Sequence, residues 1–190
     1  MALILASGSP RRKELLQQIG CAFQVAVSQF EEDNSLALPP VELAVYHARE
    51  KALACLQNAQ AEDIIIGADT IVVLNGRVYG KPIDITDGRR MLMELSGREH
   101  QVITGVAVVT PGGVWYDNAV TKVLFRQLAP EQIERYLDTG EWVDKAGGYG
   151  IQGRGALLVE SIEGCYNNVV GLPLTTLDAL MKKAAGVGLL

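Results

Sequence analysis

The segment that most restricts the fold runs from Ile64 to Leu74. Ile64 to Ala68 is almost wholly apolar, Asp69-Thr70 ends the run, Ile71 to Leu74 resumes it, and Asn75-Gly76 follows. Such a run is typical of a strand buried on both faces, and Asn-Gly is the pair that a tight hairpin prefers. A carboxylate in that setting is desolvated unless a cation or metal compensates, so Asp69 must have a partner. From spacing alone, Asp69 belongs either to a structural ion pair or Asx-turn with Thr70, or to a site at the carboxyl end of a sheet strand.

Around this strand, helix and strand signals alternate. Leu3 to Ala6 reads as a short buried strand, Ser7-Gly8-Ser9 as a loop, and Pro10 as the first position of a helix. Ser9 is the candidate N-cap of that helix, Leu15, Leu16 and Ile19 share its apolar face, and Gly20 suits its C-terminal cap. Phe23, Val25 and Val27 alternate as a second strand. Pro39-Pro40 opens a helix whose apolar stripe is Ala44, Ala48, Ala52 and Cys55 or Leu56. Thr86 is expected to cap a third helix ending at Leu95, and Val102 to Thr110 and Val114 to Phe125 form two longer strands around Pro111-Gly112-Gly113. Pro130 to Leu137 is a fourth helix closed by Gly140, Ala156 to Glu160 returns to strand, and Pro173 to Ala185 is a last amphipathic helix. With no internal repeat or linker, this order predicts one domain over residues 1–190, of α/β class, with a mixed sheet covered by helices.

At 190 residues the chain can bury enough apolar surface to fold without staples. Its three cysteines, Cys21, Cys55 and Cys165, are widely spaced and contain no C-x-x-C pair, which points to a reducing compartment and away from structural zinc. His47 and His100 are too far apart in sequence to suggest a histidine-rich metal centre, so any metal would be a hard cation held by oxygen. Met1 to Ala6 is too short for a signal peptide and no run approaches membrane-spanning length, so the expectation is a cytoplasmic protein with no membrane partner. A net charge of −5 disfavours nucleic acid as a partner.

Several residues could carry chemistry. Ser7-Gly8-Ser9-Pro10-Arg11-Arg12 offers hydroxyls, helix N-terminal amides and two guanidiniums to one small region, with Lys13 next in line; this reads as an anion site, the alternative being that Arg11, Arg12 and Lys13 form a solvated first turn. The G-x-x-x-x-G-K-[ST] spacing of a Walker A loop is absent. Lys81, in Gly80-Lys81-Pro82, and Lys51 are further candidate phosphate ligands, although a lysine on a helix ordinarily snorkels at the surface. Glu31, Glu32 and Asp33 could offer one carboxylate to Mg²⁺, an exposed acidic loop being the commoner explanation. Gly148-Tyr149-Gly150-Ile151-Gln152-Gly153 matches G-x-G-x-x-G, but a strand is expected after it where a dinucleotide-binding fold needs a helix. The loop, with Lys145 and Gln152, either wraps a ligand or is an irregular turn.

With these residues in view, the chain resembles the Maf family of nucleotide pyrophosphatases, from LILASGSPRRKELL through IIIGADTIV, GKPID and DKAGGYGIQG to VVGLPL. The resemblance implies a fold similar to the inosine-triphosphate pyrophosphatases, with the site in a central cleft between two lobes. It also implies cytoplasmic housecleaning of nucleotides with a divalent metal, Mg or Mn. Members with Arg, Thr and Gln at the positions of Arg11, Thr70 and Gln152 act on dTTP and UTP, whereas a sibling type with Trp at the first position prefers 7-methyl-GTP. A cationic base suits an aromatic face and would be repelled by Arg11. Gln152 can both donate and accept, so it can pair with N3–H and a carbonyl of uracil or thymine, and equally with adenine. Gly148 departs from the alanine more often found there.

The resulting expectation is hydrolysis of the triphosphate to monophosphate and pyrophosphate. Asp69 would act on water as base or metal ligand with Glu32 as second carboxylate, while Ser7, Ser9, Arg11, Arg12, Lys51 and Lys81 hold the phosphates. The alternative is a nucleotide-binding regulator of septum formation with little turnover. A homodimer is left open.

Overall fold

The computed structural model describes residues 1–190, the side chain of Asn58 excepted. Strands β1 (Leu3–Leu5), β2 (Gln24–Val25), β3 (Ile64–Leu74), β4 (Arg77–Tyr79), β5 (Glu99–Thr110), β6 (Gly113–Phe125) and β7 (Val159–Glu163) make one seven-stranded sheet. Its order is β2-β1-β3-β5-β6-β7, with β4 pairing a second stretch of β3. β1 runs parallel to β2 and β3 and the other pairs are antiparallel, giving the expected mixed sheet. Helices α1 (Pro10–Gln18), α2 (Pro40–Ala54), α3 (Ile85–Leu95), α4 (Pro130–Leu137), α5 (Tyr166–Val170) and α6 (Leu174–Ala185) pack around it. Among the described residues no helix is long and apolar enough to cross a membrane.

The expected break at Asp69-Thr70 does not occur. β3 is continuous because residues 65 to 73 pair one by one with β5, which sets Asp69 opposite Gly105 and Thr70 opposite Thr104. Alternation then sends Ile66, Ala68, Thr70 and Val72 to one face and Ile65, Gly67, Asp69 and Ile71 to the other. The first face serves two cores. Ile66 and Ala68 pack with Leu5, Leu16 and Leu177, whereas Val72 and Leu74 pack with Leu92, Phe125 and Leu137. These two cores follow one another along one pair of long strands, β3 and β5.

The other face of β3 belongs to α2, whose small residues Ala44, Ala48 and Ala52 are fully buried. The helix sits unusually close to the sheet. A Cβ added at Gly67 would lie 2.1 Å from the Ala48 carbonyl oxygen, and one at Gly105 would lie 2.3 Å from that of Ala44. Glycine inside a strand often marks such an approach of another backbone.

Several local expectations need correction. β2 is only two residues long and Val25 and Val27 are exposed, because β2 is an edge strand with a single neighbour. Ile19 and Leu56, expected on apolar faces, are also exposed. Asp84, not Thr86, caps α3, its carboxylate accepting from the Asp87 amide at 2.8 Å. Residues 153–158 form a 3₁₀ turn, so the last strand begins at Val159. The short helix α5 was not foreseen.

Candidate active site

The site lies where β3 loses a neighbour. β1 covers one edge of β3 only along Ile64 to Ile66, and β4 covers the same edge only along Val72 to Leu74. Residues 67–71 between them have no strand partner on that side. The carboxyl ends of β1 and β4 both abut this gap, so the loops that follow, Ser7 to Ser9 and Gly80-Lys81, become its rims. A cleft of about 400 Å³ opens there, large enough for a nucleotide-sized ligand. Asp69 and Thr70 point to opposite faces of β3 and both line it.

Asp69 is buried, and both of its oxygens are engaged by α2. Lys51 Nζ donates to Oδ1 at 2.6 Å, and His47 Nδ1 lies 3.2 Å from Oδ2. His47 and Lys51 are four residues apart and so share a helix face; the close seating of α2 over Gly67 and Gly105 is what lets them reach. Burial works to raise the carboxyl pKa, but the hydrogen bond from His47, the charge and hydrogen bond of Lys51 and the charge of Arg12 outweigh it. Together they hold Asp69 well below the usual carboxylate range. It is therefore an oriented anion, and a weak base while Lys51 stays in place.

Lys51 also donates to Glu32 Oε1 at 2.6 Å, and Lys81 Nζ stands 3.6 Å from that same oxygen. Of the acidic loop, only Glu32 joins the site; Asp33 is turned back on Ser35. Two carboxylates thus meet at one ammonium. Among the described residues no group of three His, Cys, Asp or Glu side chains could cage a metal. The donor set of Glu32 and Asp69 fits instead a hard cation that takes its remaining oxygens from phosphate and water, the habit of Mg²⁺.

On the other face, Arg12 is buried and largely committed to protein partners. Its Nε donates to Gly171 O at 2.7 Å, Nη1 to Ser7 Oγ at 3.1 Å and Nη2 to Thr70 Oγ1 at 3.1 Å. Two of its five N–H donors remain for a ligand. Thr70 and Thr104 hydroxyls are 2.9 Å apart, and Thr104 donates to Asn168 O at 3.1 Å. The Thr70 proton therefore goes to Thr104, leaving Thr70 able to accept from a ligand but not to donate. Ser9 occupies the N-cap position of α1 without capping it, so its hydroxyl stays free at the cleft wall. Lys13 does not line the cleft.

The glycine-rich loop closes the far wall. Arg11 is depressed by burial, with Asp144 and Glu14 pulling it back up. Lys145 lines the wall as well; burial and then Arg11 lower its pKa, and its ammonium donates to Glu141 O. Tyr149 is anchored beneath by His100, whose Nε2 lies 2.7 Å from the phenol oxygen. Gln152 lines the cleft with an exposed side chain.

The structure therefore brings Ser7, Ser9, Arg11, Arg12, Glu32, Lys51, Asp69, Thr70, Lys81, Lys145 and Gln152 to one cleft. His47 was missed, as were Thr104 and Asn168. A signal existed for His47: it precedes Lys51 by four residues and borders the Ala44-Ala48-Ala52 stripe.

The chain matches a family model described as "Maf-like protein" over residues 2–184. It is 52% identical to a dTTP/UTP pyrophosphatase from Gloeobacter violaceus over 179 residues, covering 94% of each chain. A protein of the same name from Vibrio cholerae is 48% identical over 181 residues, which is 95% of this chain and 97% of the relative. Among solved structures it is similar to a nucleoside-triphosphatase, dITP/XTP pyrophosphatase, from Mycobacterium abscessus. That likeness is looser, at 16% identity and a TM-score of 0.42 over 67% of this chain and 76% of the other. With a family match from residue 2 to residue 184 and relatives near half identity along almost their whole length, the chain belongs to the Maf family.

Proposed function

We propose that this chain hydrolyses nucleoside triphosphates, dTTP and UTP in preference, to the monophosphate and pyrophosphate in the cytoplasmic nucleotide pool. The observation that carries this reading is Asp69, a buried and ionised carboxylate fixed at the wall of a cleft rimmed by cations. An anion beside a triphosphate opposes binding, so a site that only sensed phosphate would gain nothing from it. The names of the relatives from Gloeobacter violaceus and Vibrio cholerae support the same activity.

In this reading Lys51, Lys81, Arg11 and the free donors of Arg12 hold the triphosphate, with Ser7 and Ser9 adding hydroxyls. Their charge offsets what develops on the phosphoryl oxygens in the transition state. As Lys51 shares its charge with the phosphates, its hold on Asp69 weakens and the carboxylate becomes a better base. Asp69 then orients a water for in-line attack on the α-phosphorus and takes its proton, and pyrophosphate leaves. A divalent cation bound with the triphosphate by Glu32 and Asp69 would neutralise phosphate charge and favour the attacking water. Gln152 reads N3–H and a carbonyl of the pyrimidine; Arg11 flanks it, and Thr70 acts through its bond with Arg12.

The test is a panel of triphosphates with separate pyrophosphate and orthophosphate readouts, run on the parent and on Asp69→Asn. Pyrophosphate is expected as first product from the parent, and loss of release with retained UTP binding from the variant. Orthophosphate first would mean attack at another phosphorus. Tight binding of UTP by the parent without turnover would favour the regulator of septum formation.

A further inference from the structure

The loop that carries Gln152 is held from outside by a carboxylate that the hydrolysis does not use. Glu141 lies in the turn after α4, where its own amide donates to Thr139 Oγ1 at 3.0 Å and the neighbouring Trp142 indole donates to Leu137 O at 3.0 Å. From this anchored position Oε1 accepts from the Arg154 amide at 3.1 Å and Oε2 from the Gly155 amide at 3.2 Å. Each carboxylate oxygen takes one of two adjacent amide protons; a glutamine in the same pose would turn its own NH2 donors toward one of them.

The two bonds fall just beyond Gln152. Before it, the Gly150 amide donates to the Tyr136 hydroxyl at 3.2 Å. The chain then doubles back so tightly that a Cβ on Gly155 would lie 1.9 Å from Gly150 O. Gly153 has φ +61°, and a Cβ there would lie 2.8 Å from Glu141 Oε1, so the loop backbone rests directly against the carboxylate. Gln152 thus sits in a pinched loop, fixed on one side by Tyr136 and on the other by Glu141. Its own side chain is exposed in the cleft.

We propose that Glu141 is a positioning residue for base selection, its carboxylate setting the place of Gln152 against the pyrimidine through the Arg154 and Gly155 amides. This rests on the reading of Gln152 as the base contact. Glu141 touches neither phosphate nor water in this scheme, so its removal should alter which base is accepted more than how fast the phosphorus is attacked.

The experiment is a double-mutant cycle of Glu141→Ala and Gln152→Ala, with Glu141→Gln as a milder variant whose shape protects the fold. The quantity read is kcat/KM for UTP divided by kcat/KM for N3-methyl-UTP, which lacks the proton Gln152 would meet. Glu141→Ala should lower this ratio about tenfold, the worth of roughly one hydrogen bond, with Glu141→Gln in between, and should lower it no further when Gln152 is already alanine. Equal loss in both backgrounds, or an unchanged ratio in Glu141→Ala when Gln152→Ala does lower it, overturns the role of Glu141 and leaves the pyrophosphatase reading standing. An unchanged ratio in Gln152→Ala overturns the base contact and this inference with it. A parent that releases no pyrophosphate from UTP overturns the activity itself.

Discussion

Replacing Lys51 by methionine keeps the length and the buried stem of the side chain and removes only the charge between Asp69 and Glu32. Both carboxylates lie 2.6 Å from Nζ, and the side chains are 10% exposed for Lys51, 4% for Asp69 and 26% for Glu32. Glu32 can turn to water, so its share of the loss is small. Asp69 cannot, and breaking a buried pair by removing one partner costs about 3–5 kcal/mol because an uncompensated charge stays behind. For a chain of this size each kcal/mol is worth about 2–4 °C, so the midpoint of thermal unfolding should fall by about 6–20 °C near neutral pH. Adding Asp69→Asn should restore most of it, since a neutral amide needs no counter-charge and can still accept from His47. The deficit should also shrink in acid: the depressed pKa of Asp69 makes its pairing stabilising above the unfolded carboxyl value and progressively absent as pH falls through the folded one. Circular dichroism melts of the parent, the single variant and the double variant decide the matter. A Lys51→Met midpoint within about 2 °C of the parent, or no recovery in the double variant, would refute the view that Lys51 is the essential counter-charge.

Three further outcomes follow from the same geometry. His47→Leu should lower kcat for UTP about three- to tenfold with little change in KM, because one oxygen of Asp69 loses its donor; His47→Asn, whose amide can occupy the place of Nδ1, should recover most of it, and equal losses in both would remove orientation as the cause. Gly105→Ala must push its Cβ against the Ala44 carbonyl, 2.3 Å away, so chemical denaturation should show a loss of about 1–3 kcal/mol and turnover should fall as His47 and Lys51 withdraw. His100 is buried and its pKa is lowered to about 4, chiefly by desolvation. It is neutral when folded and binds a proton more readily when unfolded. Its contribution is therefore complete above about pH 6.5 and is lost as pH falls toward 4, by ~3 kcal/mol in all. Urea midpoints of the parent and of His100→Gln should converge between pH 7 and pH 5, and parallel curves would contradict this.

The sequence by itself determined what depends on neighbours along the chain. The apolar run ending in Asn-Gly specified β3 and its hairpin, and Pro10 after Ser7-Gly8-Ser9 specified a strand, a loop and a helix. The glycines after Lys145 specified a loop that could wrap a ligand. The family resemblance added roles for Arg11, Thr70 and Gln152, which side-chain chemistry alone left open. Where local signals misled, a longer-range term had prevailed: Asp69-Thr70 looked like the end of a strand, but the ladder to β5 keeps it extended. Only the tertiary structure decided that β1 and β4 leave residues 67–71 uncovered and so make a cleft of that edge. It alone set α2 down on Gly67 and Gly105, which turns Lys51 from a surface lysine into the counter-ion of Asp69 and gives His47 a purpose. It also committed most of Arg12 to the protein and placed Glu141 behind Gln152. The physical reason is common to all of these: each is a contact between segments far apart in the chain, fixed by strand register and by how closely one backbone can approach another. Residue type and spacing announce such contacts only through an occasional glycine or an unexplained buried charge.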